Sequence, residues 1–546
     1  MKQKNKTMQN LLGGTISLTV ATVMVKFLGL IYKMPISQFL GDEGMGYFNS
    51  AYTIYSFFYL LCSAGVPKAI MILVCDSLAS KNKMLEGQIL KTALRFFSIT
   101  GLAASASFAL FSEYLAKLIG NNNASLTMLF ISPSIFFVSL SGVIKGYISA
   151  HSKLIDVAAS QIIEGVGKLA FGLLFAWYGY SINLPVFSLS ALSVLGVTLG
   201  SFASLIFLSV RYKILYKRDK SKQNTTKEGN REVLKKILSI SLPITVSSAL
   251  LSLTGIIDLG LIMRMLAKIG YSESEASSLY GNYTTLAVPM FNLVISLLAP
   301  ISIAYLPIFS KEIHEKNDKQ LKAYEAESFG IVSLICAPCA VGFSIYGKEI
   351  LYMLFPGCSA DIGGAMLCLL CPAMVLYSLL LIVNTLHEAS GSVKVPMLSM
   401  VIGSGIKILL SYILISDPKF GISGAPIGTT LSYCVSLIIS TLIYIKVVSR
   451  TPCIKLSAIL PYIIAIMSAI LSRSVYNVFT TNTNESLSLL LSLTIYGILY
   501  IVVYLFYGIR FGGKIIKLAK YTNFLIKNYP IRRKVCDNFK KGKINY

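Results

Sequence analysis

Residues 279–309 read Leu279-Tyr-Gly-Asn-Tyr-Thr-Thr-Leu-Ala-Val-Pro-Met-Phe-Asn-Leu-Val-Ile-Ser-Leu-Leu-Ala-Pro-Ile-Ser-Ile-Ala-Tyr-Leu-Pro-Ile-Phe309, a run without one Asp, Glu, Lys or Arg. About 20 apolar residues in a helix cross the roughly 30 Å of a bilayer's hydrocarbon. Runs of at least that length recur from residue 10 to residue 509. The 546 residues are 55% hydrophobic and 13% charged, with a mean hydropathy of +0.69, whereas soluble domains carry about 25% charged residues. The expected fold class is therefore an all-α integral membrane protein. Its work is movement across or within the bilayer rather than soluble catalysis.

Working outward from this run, spans are expected at 10–39, 47–75, 88–110, 125–149, 154–178, 185–210, 237–263, 279–309, 325–346, 362–388, 395–415, 423–445, 456–476 and 486–508. The first apolar run is too long for a signal-peptide core and lacks a clear small-residue cleavage site, so it reads as a retained span. Fourteen spans put both termini on one side. With that side cytoplasmic, five of the 49 Lys and Arg fall in external loops, while loop 211–236 and the tail 510–546 are dense in them, as the positive-inside rule asks. The formal charge of +25 is thus assigned to topology and to anionic phospholipids at the basic loops, and not to nucleic acid. Trp177, Tyr178 and Tyr180 close the fifth span as an interfacial aromatic belt would.

The polar segment Lys217 to Arg231 reads as a linker between two halves. Ser160-Gln-Ile-Ile-Glu-Gly-Val-Gly-Lys168 aligns without gaps with Ser399-Met-Val-Ile-Gly-Ser-Gly-Ile-Lys407, pairing span five with span eleven. Two six-helix lobes in parallel pseudo-repeat follow, with a substrate site expected at the midplane between them. The expected division is an N-lobe with its basic linker at 1–236, a C-lobe at 237–455, two extra helices at 456–509 and a basic cytoplasmic tail at 510–546.

A charged side chain within the membrane costs about 2.5–3.5 kcal/mol on insertion scales and needs a reason. Lys26 and Lys33, two turns apart on span one, Lys68, Arg95, Lys168, Lys407 and Arg473 are such residues; the acids are Glu164, Asp258 and the more peripheral Asp156. The interior is net cationic, which favours an anionic ligand. Glu164 and Lys168 stand in the favoured i, i+4 order and are expected to pair. Lys33 and Arg473 lie near the outer interface, where snorkelling would satisfy them. Lys26 has no acid at helical spacing. Asp258 and Arg264, six apart, are not expected to pair with each other, and Asp258 lacks an obvious partner.

Other chemistries find little support. The ten cysteines lie nearly all within or beside apolar runs and read as small buried hydrophobes. Cys336-Ala-Pro-Cys339 has a redox spacing but no βαβ context, and three histidines leave a zinc site little to recruit. Gly508-Ile-Arg-Phe-Gly-Gly-Lys-Ile515 approaches a phosphate-binding loop, but Ile515 stands where Ser or Thr would hold magnesium. No enzyme, cofactor or metal is expected. The drive is the membrane potential or a coupled monovalent ion, Na+ or H+.

Two stretches carry a resemblance. Val25-Lys-Phe-Leu-Gly-Leu-Ile-Tyr-Lys33, Pro35, Leu40-Gly-Asp-Glu-Gly-Met-Gly-Tyr47, Ala51-Tyr-Thr-Ile-Tyr55 and Ser63-Ala-Gly-Val-Pro67 form the first. Ile257-Asp258, Arg264, Gly270-Tyr-Ser-Glu-Ser-Glu-Ala276, Leu279-Tyr-Gly281 and Pro289 form the second. They resemble the stage V sporulation protein B type of polysaccharide exporter, similar to the MurJ lipid II flippases and within the superfamily of the MATE drug exporters. The resemblance implies two six-helix lobes around a central cavity, alternating access, a lipid carrying a pyrophosphate-linked sugar as substrate, and a bacterial plasma membrane location. It singles out Lys26, Lys33, Asp42, Asp258 and Arg264 for the cavity or gate; Lys68, Glu164, Lys168 and Lys407 complete the candidate set. Related flippases often carry arginine where this chain has Lys26 and Lys33, and lysine keeps the charge but loses the bidentate fork. The competing readings are a MATE-type organic-cation antiporter, whose cavity should offer acids and aromatics, and a scaffold for cell-envelope synthesis proteins docked through the tail.

Overall fold

The computed structural model describes residues 2–80, 82–217, 229–392, 394–448, 451–453, 456–480 and 485–511. The middle of the expected linker, most of the phosphate-loop-like segment and the basic tail beyond Phe511 lie outside the described residues. The α-helices are α1 (Lys2–Ser63), α2 (Val66–Ala79), α3 (Lys83–Leu110), α4 (Ser112–Ile119), α5 (Ser125–Ile131), α6 (Pro133–Ala150), α7 (Leu154–Ser181), α8 (Val186–Lys217) and α9 (Asn230–Lys268). They continue with α10 (Glu273–Asn282), α11 (Val288–His314), α12 (Asp318–Leu354), α13 (Ala360–Ala389), α14 (Lys394–Ser416), α15 (Gly424–Val448), α16 (Leu456–Thr480) and α17 (Glu485–Phe511). No strand occurs among the described residues. In hydrocarbon this is what backbone chemistry requires, because a helix satisfies its own amides and carbonyls.

Twelve segments among the described residues are long and apolar enough to cross a membrane. Fourteen were expected. The expected spans 10–39 and 47–75 fall largely in one of the twelve, Phe27–Ala79, and the expected span 237–263 lies within α9, which is not among them. The apolar side chains on the outside are those of a lipid-facing surface: Ile99, Leu110 and Ile303 are 71%, 81% and 74% exposed. Trp177, Tyr178 and Tyr180 are exposed at the end of α7.

Breaks within the expected spans follow from glycine and proline. Gly41 has φ 63 and kinks α1, a conformation that costs other residues a Cβ clash. The expected second span is divided at Ala64–Gly65, where Pro67 opens α2; proline suits a first helical turn because its missing amide is unused there. Gly65 has no room for a side chain, since a Cβ would strike the Ser241 carbonyl of α9. The uncharged run 279–309 contains a π-helical turn, Tyr283–Ala287, just before Pro289 of α11.

Helices α1 to α8 pack mainly on one another, with α7 along α8 and α1 across α7; α11 to α15 do likewise, with α14 along α15 and beside α9. The two groups meet where α1 crosses α9 and α10, and α16 and α17 lean on α12. Small residues set the close pairs: a Cβ on Gly167 or Gly196 would strike Gly200 or Gly172 between α7 and α8, and one on Gly403 would strike Ser436 between α14 and α15. The aligned segments therefore occupy corresponding places. Ser160 and Ser399 are both buried and bond the carbonyl three residues back. The nine described cysteines are free, and Cys336 and Cys371 are buried.

Candidate functional site

A cavity of about 410 Å³ lies between α1, α6, α7 and α8. Tyr52, Tyr55 and Tyr59 recur at i, i+3 and i+7, which aligns them on one face of α1. Their ring centroids are 5.6 and 5.9 Å apart in succession. Tyr32, from before the Gly41 kink, completes the aromatic wall. Lys168 of α7 points its ammonium at two of these rings, 4.5 Å from the centroid of Tyr52 and 5.2 Å from that of Tyr32, within the range of a cation–π contact.

The expected pairing of Glu164 with Lys168 is not what the structure contains. Glu164 pairs with Lys145 of α6 at 3.3 Å, and Lys168 turns to the tyrosine faces. Spacing along one helix says which residues are neighbours; here the adjacent helices supply other partners. Lys33 also departs from expectation. Rather than snorkelling, its ammonium is partly buried and donates to Asn49 Oδ1 at 3.3 Å and to the Thr284 carbonyl in the π-helical turn at 3.1 Å. Among the described residues neither Lys33 nor Lys168 has a carboxylate partner within 4.0 Å. With Lys145 and Glu164, the four described ionisable side chains of this neighbourhood have a formal sum of about +2.

The other candidates are placed elsewhere. Lys26 lies in α1, but its side chain is outside the described residues. Asp42 accepts bonds from Ser359 N at 3.0 and 3.2 Å and from Ser359 Oγ at 2.5 Å, fastening the kink of α1 to the start of α13. Lys68 is exposed in the first turn of α2, and Arg95 is exposed as well. Asp258 does have a partner: Lys407 of α14 meets its Oδ2 at 2.8 Å, while its Oδ1 is buried without a bond. Arg264 does not pair with Asp258, as its spacing indicated; it is exposed and donates to the Leu118 carbonyl. Arg473 is not left to snorkel, since Glu349 lies 2.6 Å away and the Tyr346 and Tyr476 rings 5.4 and 4.8 Å away. Asp156 pairs with Arg211 at 2.8 Å.

The structure thus brings Glu164 and Lys168 into one cavity with Lys33 nearby, and sets Asp258 and Lys407 apart as a pair in the second group of helices. Lys145 and the tyrosine wall were not among the expected site residues. A signal for the wall was present in the spacing of Tyr52, Tyr55 and Tyr59, and one for Lys145 in its place inside the expected span 125–149; none marked its pairing with an acid on another helix. Glu325 was also missed: wholly buried, it accepts from Tyr444 Oη at 2.9 Å and Cys453 N at 3.0 Å and holds the segment after α15 to α12.

Comparison with known proteins agrees with this architecture. The family described as "Lipid II flippase MurJ" matches residues 36–484. The chain is similar to stage V sporulation protein B of Bacillus subtilis (strain 168), 23% identical over 492 residues that cover 88% of this chain and 92% of that one. It is likewise similar to the lipid II flippase MurJ of the same organism, 23% identical over 452 residues covering 78% and 81%. Among solved structures, an inward-closed lipid II flippase MurJ superimposes with a TM-score of 0.65 at 16% identity, covering 90% of this chain and 99% of that one. An inward-facing multidrug MATE transporter also gives 0.65, at 14% identity and coverage of 80% and 98%. With a family match across most of its length and the helical fold of membrane transporters, this multi-pass membrane protein belongs to the MurJ lipid II flippase family.

Proposed function

We propose that this protein moves a lipid-linked, pyrophosphate-bearing cell-envelope precursor, lipid II or a related polysaccharide intermediate, from the inner to the outer leaflet by alternating access. The observation that carries the reading is the pair of cations without carboxylates, Lys33 bonded between α1 and the π-helical turn and Lys168 over two tyrosines. A pyrophosphate headgroup loses its hydration on entering the bilayer and needs compensating charge there. A net charge of about +2 beside the cavity provides it, while the lipid tail stays in hydrocarbon. The two termini are cytoplasmic in this reading, the two helix groups are the moving lobes, and the basic linker and tail meet anionic phospholipids and envelope-synthesis proteins. The membrane potential supplies the drive, with Na+ or H+ as the coupled-ion alternative.

The tyrosine wall and Glu164 would also suit an organic cation, the substrate of a MATE-type antiporter. Here Lys145 holds the carboxylate and Lys168 lies on the ring faces, so the chain's own lysines occupy the features a cationic substrate needs. Purified protein in proteoliposomes decides between them. Fluorescent lipid II should become accessible on the opposite leaflet, faster under an imposed inside-negative potential. Efflux of a cationic dye under a Na+ or H+ gradient, with no lipid movement, would replace the flippase by the antiporter.

A further inference from the structure

The cavity differs from one end to the other. At one end Lys168 lies over Tyr32 and Tyr52. One turn earlier on α7, about 6 Å along the axis, Glu164 pairs with Lys145 and lines the cavity together with Tyr55 and Tyr59. From Tyr52 to Tyr59 the face of α1 runs about 10 Å, the length of one phosphate and one sugar ring rather than of a phosphate alone.

Resting on the flippase reading, we propose that the Tyr55–Tyr59 end of this cavity is a subsite for the sugar ring joined to the phosphate that Lys168 faces. A phosphate alone would be repelled by Glu164, and an acyl chain would strip water from the Lys145–Glu164 pair without replacing its bonds. A pyranose satisfies both surfaces. Its hydroxyl and amide groups donate to Glu164 and accept from Lys145, while its C–H face packs on the electron-rich tyrosine rings. The mixture of one acid, one base and aromatic faces is suited to a polyhydroxylated ring, with the anion displaced toward Lys168.

The test uses the full chain in lipid nanodiscs and two probes, a polyprenyl pyrophosphate bearing a sugar and the same lipid without it. The glycosylated lipid should bind about tenfold more tightly. Tyr59→Leu should abolish most of that preference, weakening the glycosylated lipid about tenfold and the sugar-free lipid less than about twofold, whereas Tyr59→Phe should keep the preference. Lys168→Met should weaken both lipids alike. Equal affinity of the unaltered protein for the two probes overturns the sugar subsite and leaves the flippase reading standing. Equal weakening of both probes by Tyr59→Leu makes the tyrosine a packing residue and also overturns it. Failure to bind either lipid removes the flippase reading and the subsite with it.

Discussion

Lys168 is held by ring faces and Lys407 by a carboxylate, although the two stand at aligned positions of the internal repeat. The difference divides their roles. A lysine over tyrosines keeps its ammonium available to an incoming anion, so Lys168→Met should reduce lipid flipping by at least about tenfold, and Lys168→Arg, which keeps charge and ring stacking, should retain most of it in the proteoliposome assay. Lys407 is engaged with Asp258, and Asp258→Asn would leave a partly buried ammonium without its counter-charge. Removing one member of a fully buried pair costs about 3–5 kcal/mol, an upper bound for this partly buried one, whereas replacing both with neutral groups costs much less. Thermal unfolding in detergent should therefore show a large loss for Asp258→Asn and a partial recovery in Asp258→Asn with Lys407→Met. A double-variant loss equal to the sum of the Asp258→Asn and Lys407→Met losses would show that the two residues act independently. These pairings were only half legible beforehand. In-membrane charges stand out because hydrocarbon makes each one costly, so Glu164, Lys168, Asp258 and Lys407 could be picked out from the chain. Their partners could not, because Lys145 and Glu164 are brought together by helix packing and not by spacing.

At the scale of elements, α1 carries the greatest demands. Its kink at Gly41, the tyrosine face beyond it and a seam against α10 lie within about five turns. At the seam a Cβ on Gly46 would strike the Ser277 carbonyl, and one on Gly281 would strike the Asp42 carbonyl. Backbone meets backbone there, with no flexible side chain to yield. Gly46→Val should hold α1 and α10 apart, and the loop cysteine Cys358, which follows the Gly357 that lies against Ser37 and Gln38 of α1, is partly buried. Alkylation by a membrane-impermeant maleimide, read by peptide mass spectrometry, should rise at Cys358 in Gly46→Val while transport falls; unchanged labelling would mean the seam closes despite the added side chain. Composition and run length sufficed for the helical class and most segment centres. They did not locate the breaks at Gly41, Ala64–Gly65 and Ser132–Pro133, where backbone geometry interrupts an apolar run without changing its hydropathy. Leu28-Gly-Leu-Ile31 in α1 does recur as Leu259-Gly-Leu-Ile262 in α9, with Lys33 and Arg264 each five residues after the first leucine, but the match marks none of these breaks.

For the whole molecule, charge and membrane potential together predict how the cycle is driven. In the proposed cycle, a headgroup with about two negative charges, bound beside a formal cavity charge of about +2, would cross as a nearly neutral complex. The empty carrier would return with those positive charges unmatched, and each charge moved inward across the full field gains about 2.3 kcal/mol per 100 mV. The return step should therefore be the voltage-dependent one, and flipping should accelerate under an inside-negative potential until another step limits it. Lys168→Met removes about half of the unmatched charge. Among variants retaining measurable transport, it should show a slope of log rate against potential roughly half that of the unaltered protein, whereas exposed Lys68, altered to Met, should leave the slope unchanged. Measuring initial flipping rates at several imposed potentials separates this mechanism from ion coupling: a rate that follows a Na+ or H+ gradient at zero potential, with a slope indifferent to Lys168, would assign the drive to a coupled ion instead.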